Sequence, residues 1–140
     1  MYDTLLVPTD GSEAAMDAAK HAYSLGERYD ATVHVLAVVE HSESASIVGQ
    51  GDEKLETLQE DGTEATQKII KEGLSRDIET VGAVKVGDPD KVILDYADEH
   101  NVDMIIMSTH GRSGVGRFLM GSITEQVIRG GEIPVLAIQR

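Results

Sequence analysis

The stretch that decides the fold runs from Thr4 to Val39 and reads TLLVPTDGSEAAMDAAKHAYSLGERYDATVHVLAVV. Two apolar runs, Thr4–Val7 and Thr32–Val39, flank a segment in which small apolar residues recur at helical spacing. The second run is almost wholly apolar, as is typical of a strand covered on both faces. The stretch therefore predicts a β–α–β unit, with the first strand stopped by Pro8.

The same alternation continues to the C-terminus. A loop is expected over residues 41–52. After it the pattern predicts a helix over about Glu53–Ser75, a strand over Thr80–Val86 broken by Gly82, a helix from Pro89 to about His100, a strand over Met104–Met107, a helix over about Ser122–Arg129 and a strand over Pro134–Ile138. Alternating strands and helices predict one domain over residues 1–140, with an α/β architecture built on a single doubly wound, Rossmann-like, five-stranded parallel sheet.

Composition excludes several classes of function. The 140 residues include no cysteine, which excludes disulfides, zinc–thiolate sites and thiol catalysis. The five histidines have no metal-ligand spacing, so no metal site is expected. No apolar run approaches the length of a membrane span, and the N-terminus lacks the basic segment of a signal peptide. We therefore expect a cytoplasmic protein that does not associate with a membrane.

Charge is distributed unevenly along the chain. The formal net charge is -13, which argues against nucleic-acid binding because a phosphate backbone requires a basic surface. Residues 1–110 hold 8 basic and 23 acidic residues, a net charge of 8 − 23 = −15, whereas Gly111–Arg140 holds 4 arginines and 2 glutamates, a net charge of +2. The C-terminal part is therefore the part of the chain that suits an anion.

Ligands of doubly wound sheets bind beyond the carboxyl ends of the strands, where the strand order reverses. The loops to consider are thus Pro8–Gly11, after the first strand, and Ser108–Gly121, after the fourth. The second loop contains four glycines, whose backbone amides can approach an anion closely. Arg112 and Arg117 lie in the same loop and add positive charge.

The helix that follows the glycine-rich loop is predicted to begin at Ser122. Ser122 and Glu125 have the spacing of a capping box, and a helix N-terminus attracts a phosphate. Asp10, at the end of the first strand, could accept hydrogen bonds from a sugar hydroxyl or a base amino group. Together these features predict a ligand with a phosphate chain.

Three familiar phosphate-binding arrangements do not match. A P-loop requires a Gly-Lys pair, and the sequence has none. A dinucleotide fingerprint requires glycines after the first strand, where this chain has Pro-Thr-Asp-Gly-Ser. Asp10 lacks the acidic pair and the C-terminal lysine that usually accompany a phosphoacceptor aspartate in receiver domains.

Over nearly its whole length the sequence resembles the universal stress proteins. The resemblance is carried by VPTDGS near the N-terminus, by Gly111 followed after nine residues by Gly121-Ser122, and by SITEQVIRGGEIPVLAIQ at the end. The family's binding motif is Gly, two residues, Gly, nine residues, Gly and then Ser or Thr. Its first glycine corresponds to Ser108 in this chain, which is the one departure from the motif.

The resemblance implies a strand order of 3-2-1-4-5 and an ATP ligand, which Mg²⁺ could accompany. It places the adenosine end of ATP against Pro8, Thr9, Asp10, Val38 and Met107. The ribose and phosphates would be surrounded by Ser108, Gly111, Gly121, Ser122 and Ile123. Arg112 is a candidate for phosphate contact because of its charge in the same loop, and not because of the resemblance. It also implies a homodimer formed through the last strand, Pro134–Ile138.

The resulting hypothesis is an ATP-binding dimeric regulatory module of the stress response. The sequence offers no activated nucleophile or base beside the phosphate loop, so at most slow ATP hydrolysis is expected. Two alternatives remain. One is a nucleotide-free stress module that binds proteins, which Ser108 favours, and the other is a slow nucleotide hydrolase or transferase. The signalling partner is not identified by the sequence.

Overall fold

The computed structural model describes residues 1–40, 51–109 and 115–139, with residues 51–54 and 115–120 described as backbone only. In this part of the chain, strands and helices alternate in the order β1 Thr4–Thr9, α1 Glu13–Tyr29, β2 Thr32–Glu40, α2 Gly51–Ser75, β3 Thr80–Gly87, α3 Pro89–Glu99, β4 Met104–Ser108, α4 Val115–Gly130 and β5 Val135–Ile138. All strand pairs are parallel, and the sheet order is β3-β2-β1-β4-β5. The predicted architecture and strand order are confirmed.

Two strands are longer or more regular than predicted. β1 does not stop at Pro8 but runs to Thr9. Pro8 is paired with Leu36 of β2, whereas the ladder between β1 and β4 ends at Leu6, so the missing N–H of proline does not interrupt it. β3 likewise passes through Gly82 without a break. A Cβ at Gly82 would lie 2.6 Å from Cδ1 of Ile70, so glycine lets α2 pack closely on this strand.

Two helices begin earlier than predicted. α2 begins at Gly51, so residues 51 and 52 of the predicted loop are helical, while residues 41–50 lie outside the described residues. α4 begins at Val115, and the predicted helix start and capping box at Ser122 are wrong for this structure. Gly116 and Gly121 lower helix propensity but do not forbid a helix, since each retains the backbone N–H that proline lacks.

The two faces of the sheet are buried in two separate apolar clusters. The cluster on the α1 and α2 face, which we call the first core, includes Leu5, Val7, Ala18, Ala19, Ala22, Tyr23, Val33, Val35, Ile69 and Ile106. The cluster on the α3 and α4 face, the second core, includes Leu6, Leu36, Ile93, Tyr96, Ala97, Ile105, Met107 and Val127. Successive strand residues alternate between the clusters, as doubly covered strands require.

A buried tyrosine links the two helices of the first core. The Tyr23 hydroxyl of α1 donates a hydrogen bond to the Ile69 carbonyl of α2, and burial raises the pKa of Tyr23, which keeps the phenol neutral. The ring lies against Gly73, where a Cβ would lie 2.8 Å from ring atoms. Glycine at this position therefore permits the close approach of α1 and α2.

A cluster of three rings joins β2 to α3. The buried His34 Nδ1 lies 2.7 Å from the Tyr96 hydroxyl, and the His100 ring stacks on Tyr96 with ring centroids 3.9 Å apart. The His100 Nδ1 donates to the Tyr96 carbonyl at 2.9 Å. Burial lowers the pKa of His34, the nearby His100 lowers it further, and Glu79 acts in the opposite direction.

These contacts predict that the fold loses stability in mild acid. The pKa of His34 is lower in the folded chain than its ordinary value of 6.5, so its contribution is present above that value and decreases as the pH falls below it. Urea unfolding from about pH 7.5 to about pH 5.5 should therefore show a steeper fall in free energy of unfolding for the wild type than for His34→Gln.

The matched control is His21→Gln, because His21 is exposed on α1. This variant should keep the pH dependence of the wild type. Equal slopes for the wild type and His34→Gln would show that the ring cluster does not carry the effect.

Candidate functional site

The candidate site lies at the carboxyl edge of the sheet, between β1 and β4. Both are central strands, but the connection after β1 places α1 on the first core while that after β4 places α4 on the second. β1 pairs with β2 at six positions and with β4 at two, so the ends of β1 and β4 extend beyond their shared ladder. This is the crevice in which ligands of doubly wound sheets bind.

The turn after β1 is held by its own side chains. The Gly11 amide donates to the Thr9 hydroxyl at 3.1 Å, and the Ser12 amide donates to Oδ1 of Asp10 at 3.0 Å. Ser12 then caps α1 through the Ala15 amide at 3.1 Å. Gly11 has a φ of 84°, which glycine adopts without strain. Asp10 is therefore both a turn residue and a half-buried carboxylate positioned at the switch point.

The residues predicted to contact adenosine fall on both faces of the sheet. Leu6 belongs to the second core, so strand alternation places Pro8 on that face and Thr9 on the opposite one. The Thr9 side chain accordingly helps to line a separate cleft of about 160 Å³ between α1 and α2, together with Gly11, Ser12, Glu13, Met16, Ala65, Lys68 and Ile69. Only the Thr9 backbone is placed to reach a ligand on the second-core face.

Three of the remaining predicted residues lie on the second-core face of the sheet. Met107 is fully buried in the second core, and Val38 and Ile123 are partly exposed and pack against the same cluster. They come from β4, β2 and α4, which the sequence separates widely. The structure thus places these three apolar side chains on one face of the sheet, where Val38 and Ile123 keep exposed surface that could receive a flat ring.

The end of β4 is hydrogen-bonded both to the middle of α4 and to β5. The Ser108 carbonyl accepts a hydrogen bond from the buried Thr124 hydroxyl at 2.9 Å, and the Thr109 amide donates to the Ile138 carbonyl at 3.0 Å. A Cβ at Gly121 would lie 3.2 Å from the Thr109 carbonyl, so glycine allows this close contact. No role is predicted for Thr124 from the sequence, although it lies three residues after the motif glycine Gly121 and so on the same side of a helix.

Serine at position 108 needs no unusual backbone. The non-glycine residues with positive φ in the described chain are Asp30, Asp77 and Asn101, and Ser108 is not among them. Ser108 pairs with Ile138 as an ordinary strand residue. The first motif position therefore does not require the conformational freedom of glycine.

The predicted phosphate end is only partly visible. His110, Gly111 and Arg112 lie outside the described residues, and the Arg117 side chain is not described. Gly121 and Ser122 lie within α4, where each amide belongs to the ladder that joins residues four apart. The helix N-terminus that was expected at Ser122 is therefore not present, and the nearest one is at Val115.

Two features found in other classes of protein do not occur in the described ranges. Over residues 1–40, 51–109 and 115–139, no three His, Cys, Asp or Glu side chains are arranged to hold a metal ion. Within the same ranges, no helix is sufficiently long and apolar to cross a bilayer.

Comparison with known proteins gives a consistent result. The sequence model of the universal stress protein family matches residues 1–139. The chain is 33% identical over 142 residues to universal stress protein MJ0531 of Methanocaldococcus jannaschii, covering 100% of this chain and 84% of the relative. It is 30% identical over 156 residues to universal stress protein MJ0577 of the same organism, covering 100% of this chain and 96% of the relative.

Solved structures agree with these relatives. The structure of MJ0577 superimposes with a TM-score of 0.87 at 33% identity and covers 100% of this chain and 97% of its own. Two more distant structures share the fold. A universal stress protein in complex with cAMP superimposes with a TM-score of 0.69 at 19% identity and covers 98% of this chain and 97% of its own. A universal stress protein family protein from Arabidopsis thaliana with AMP bound superimposes with a TM-score of 0.72 at 14% identity and covers 99% of this chain and 92% of its own. The fold, the site at the switch point and the match along the chain together establish that this protein belongs to the universal stress protein family.

Proposed function

We propose that this protein is a single-domain, homodimeric, ATP-binding module that regulates a stress response. The observation that carries the proposal is that Met107 lies in the second core and that Val38 and Ile123, both partly exposed, pack against it, on the sheet face toward which the end of β1 directs Pro8. Adenine nucleotides in two structures of the family, one with cAMP and one with AMP, support the choice of ligand.

The adenosine end would lie against the second-core face. An adenine ring is flat and apolar on both sides, so it suits the exposed parts of Val38 and Ile123, beneath which Met107 fills the second core. The Val38 backbone and the Pro8–Asp10 turn border the same edge. Asp10 is fixed by the Ser12 amide at 3.0 Å, which would orient its carboxylate toward a ribose hydroxyl or the adenine amino group.

The phosphates would lie toward the C-terminal segment. Gly111–Arg140 carries a net charge of +2 in a chain whose overall net charge is -13, so this segment is the most favourable place for a polyanion. Ser108, Gly111, Arg112, Gly121 and Ser122 would provide amides and positive charge here. The Mg²⁺ that accompanies ATP would be held mainly by the phosphates, since among the described residues no cluster of carboxylates is arranged for it.

A regulatory role suits this site better than catalysis. At the switch point the Thr9 and Thr124 hydroxyls form hydrogen bonds with the backbone, and the Asp10 carboxylate accepts from the Ser12 amide, so these groups serve to hold the local structure. Turnover of ATP to ADP should thus stay near the uncatalysed background. A measured steady turnover that depends on Asp10 would instead favour the alternative of a slow hydrolase.

The first test is the ligand itself. Protein purified gently and analysed by mass spectrometry under native conditions should retain ATP, and calorimetry of nucleotide-free protein should show ATP binding more tightly than cAMP or AMP. Protein that retains no nucleotide and binds none would support the alternative of a nucleotide-free module that binds proteins.

Asp10→Asn should weaken ATP binding by about 10- to 100-fold, because it removes one charged acceptor. Asparagine retains the carbonyl that accepts from the Ser12 amide, so the turn should be preserved. Calorimetry at constant salt measures the effect. Asp95→Asn makes the same charge change at an exposed position of α3 and should leave the affinity unchanged. Equal affinities for Asp10→Asn and Asp95→Asn would remove Asp10 from the site.

Ser108→Gly should retain ATP affinity within about two-fold, because position 108 does not require positive φ. Its free energy of unfolding should fall by about 0.5–1 kcal/mol, since glycine weakens a strand. Ser108→Ala, which removes only the hydroxyl, is the matched variant for both measurements. Binding that is absent in the wild type and restored by Ser108→Gly would show that serine at this position abolishes the nucleotide site.

Dimerisation through β5 can be tested at its free edge. The Ile105 amide donates to the Pro134 carbonyl, and the Thr109 amide donates to the Ile138 carbonyl. The backbone groups of Pro134 and Ile138 therefore face β4. Because backbone groups alternate along a strand, the N–H of Ala137 points away from β4, toward the free edge. Leu136 of this strand is 36% exposed. Ala137→Pro should therefore remove an edge donor without breaking the pairing with β4, and it should give a monomer in light scattering coupled to size-exclusion chromatography.

Ala137→Thr adds side-chain bulk but keeps the N–H, and it should remain dimeric. An Ala137→Pro protein that is folded and still dimeric would show that the interface lies elsewhere.

A further inference from the structure

The outer edge of β3 has no partner strand in the described part of the chain. β3 pairs with β2 up to Gly87, and the Val33 amide donates to the Glu79 carbonyl at 2.9 Å. Because backbone groups alternate along a strand, those of every second residue then point away from β2. Within the described ranges, no backbone hydrogen bond from another element reaches these edge-facing residues, which are Thr80, Gly82, Val84 and Val86.

The sequence of β3 contains few of the features that keep edge strands from pairing. Natural edge strands are blocked by proline, by bulges or by charged side chains. β3 reads TVGAVKVG, with Lys85 as its one charged residue, and its register with β2 has no bulge. Two of its valines are exposed, Val81 to 39% and Val86 to 37%. The edge of β3 is therefore a template for a further strand.

The side of α2 that flanks this edge is uncharged. α2 meets α1 through Ile69 and lines the cleft beside α1 with Ala65 and Lys68, so its opposite side faces the free edge of β3. Helical spacing places five residues on that side, none of them charged, namely Gln59, Thr63, Gln67, Ile70 and Leu74. β3 and these five residues together form what we call the β3 edge surface.

The rest of α2 makes this surface distinct. Between residues 59 and 74, every exposed position outside the surface is charged, namely Glu60, Asp61, Glu64, Lys68 and Lys71. Within the surface, Ile70 extends over Gly82 of β3, and Leu74 is 61% exposed. The Thr63 hydroxyl donates to the Gln59 carbonyl at 2.9 Å, so it is satisfied within the helix. The surface is thus weakly polar and continuous with the strand edge.

The charge of the chain indicates what can bind this surface. The formal net charge is -13, so two copies repel each other unless the surfaces in contact lack acidic groups. The β3 edge surface has no acidic side chain. It therefore has no negative charge to attract a basic partner, whereas a second copy of the same acidic chain can approach it without like charges meeting.

We infer that the β3 edge surface binds the same surface of a second copy, through an antiparallel strand pair related by a two-fold axis. Antiparallel pairing joins edge-facing residues to edge-facing residues. An axis at Ala83 places Gly82 opposite Val84 and each Lys85 opposite a valine, so that no like charges lie directly opposite each other. The two α2 helices then lie side by side on the same face of the joined sheet.

This contact depends on the salt concentration. The remaining surface of each copy is acidic, so the two copies repel each other at low ionic strength, whereas in about 1 M KCl the Debye length falls to about 3 Å and the repulsion is screened. β3 and β5 are opposite edges of the sheet, so this contact and the proposed pairing through β5 can form in one assembly. The size of the assembly would then increase with ionic strength.

The test is sedimentation velocity of the full chain at one protein concentration in about 0.1 M and about 1 M KCl, with circular dichroism to confirm folding. The wild type should change from a dimer to species of twice that mass and larger. Ala137→Pro should change from a monomer to a dimer, because its β3 edge surface is intact. If neither protein gains mass at the higher salt concentration, the inference is overturned and the proposed dimer through β5 still stands.

Substitutions at Val86 test the strand edge. Val86→Pro removes an edge-facing N–H and leaves the pairing with β2 in place, so this variant should stay a dimer at both salt concentrations. Val86→Thr is the matched control, because it keeps the N–H and the β-branched shape, and it should gain mass with salt as the wild type does. Equal gains in mass for Val86→Pro and Val86→Thr would overturn the inference.

Substitutions at the end of α2 test the uncharged side of the helix. Leu74→Glu should raise the dissociation constant of the salt-dependent association by about ten-fold or more, because a carboxylate would lose water in an uncharged contact. Ser75→Glu adds the same charge at the next exposed position, on the outer side of α2, and should leave the association unchanged. A salt-dependent association that neither Leu74→Glu nor Val86→Pro weakens would show that the second copy binds elsewhere.

Discussion

Strand β1 is buried on both faces and hydrogen-bonded along both edges, because it lies at the centre of a sheet covered by helices on both sides. Leu5, Leu6 and Val7 have no exposed surface, so each is committed to one core or the other. This constraint fixes the register of the strand, since a slip by one residue would exchange the two faces. It also fixes which residues after Val7 face the second core, and hence where a ligand can lie.

The alternation of faces explains why the candidate site is partly apolar. Val38 and Met107 continue the second core to the edge of the sheet, and Ile123 of α4 packs against the same cluster. A ligand at this edge would extend an existing core rather than require a separate cavity. The cleft lined by Thr9 and Lys68 lies on the other face, so the candidate site and this cleft share the end of β1 but no apolar side chains.

Much of this arrangement could be predicted, because apolar periodicity indicates the alternating strands and helices of a parallel sheet, and the resemblance to the universal stress proteins implies the strand order. The predictions that were wrong concern residues whose effect depends on neighbours distant in sequence. Pro8 was expected to end β1, but its position pairs with β2 beyond the point at which the ladder with β4 ends. Gly82 was expected to break β3, but it accommodates the side chain of Ile70. In each case the local rule did not take account of the neighbouring element with which the residue pairs or packs in the fold.

The start of α4 was also predicted wrongly, because a capping box is a local pattern. A capping serine contributes about 1 kcal/mol to a helix, and each glycine within a helix costs about the same. Local effects of this size did not determine the helix start, since α4 begins at Val115 and contains Gly116 and Gly121. Ser108 is paired with Ile138 in β5, and the Ser108 carbonyl is bonded to Thr124 in α4. The end of β4 therefore joins α4 to β5, the strand at which a second copy is proposed to bind, so the candidate site and the proposed interface share one hydrogen-bonded segment.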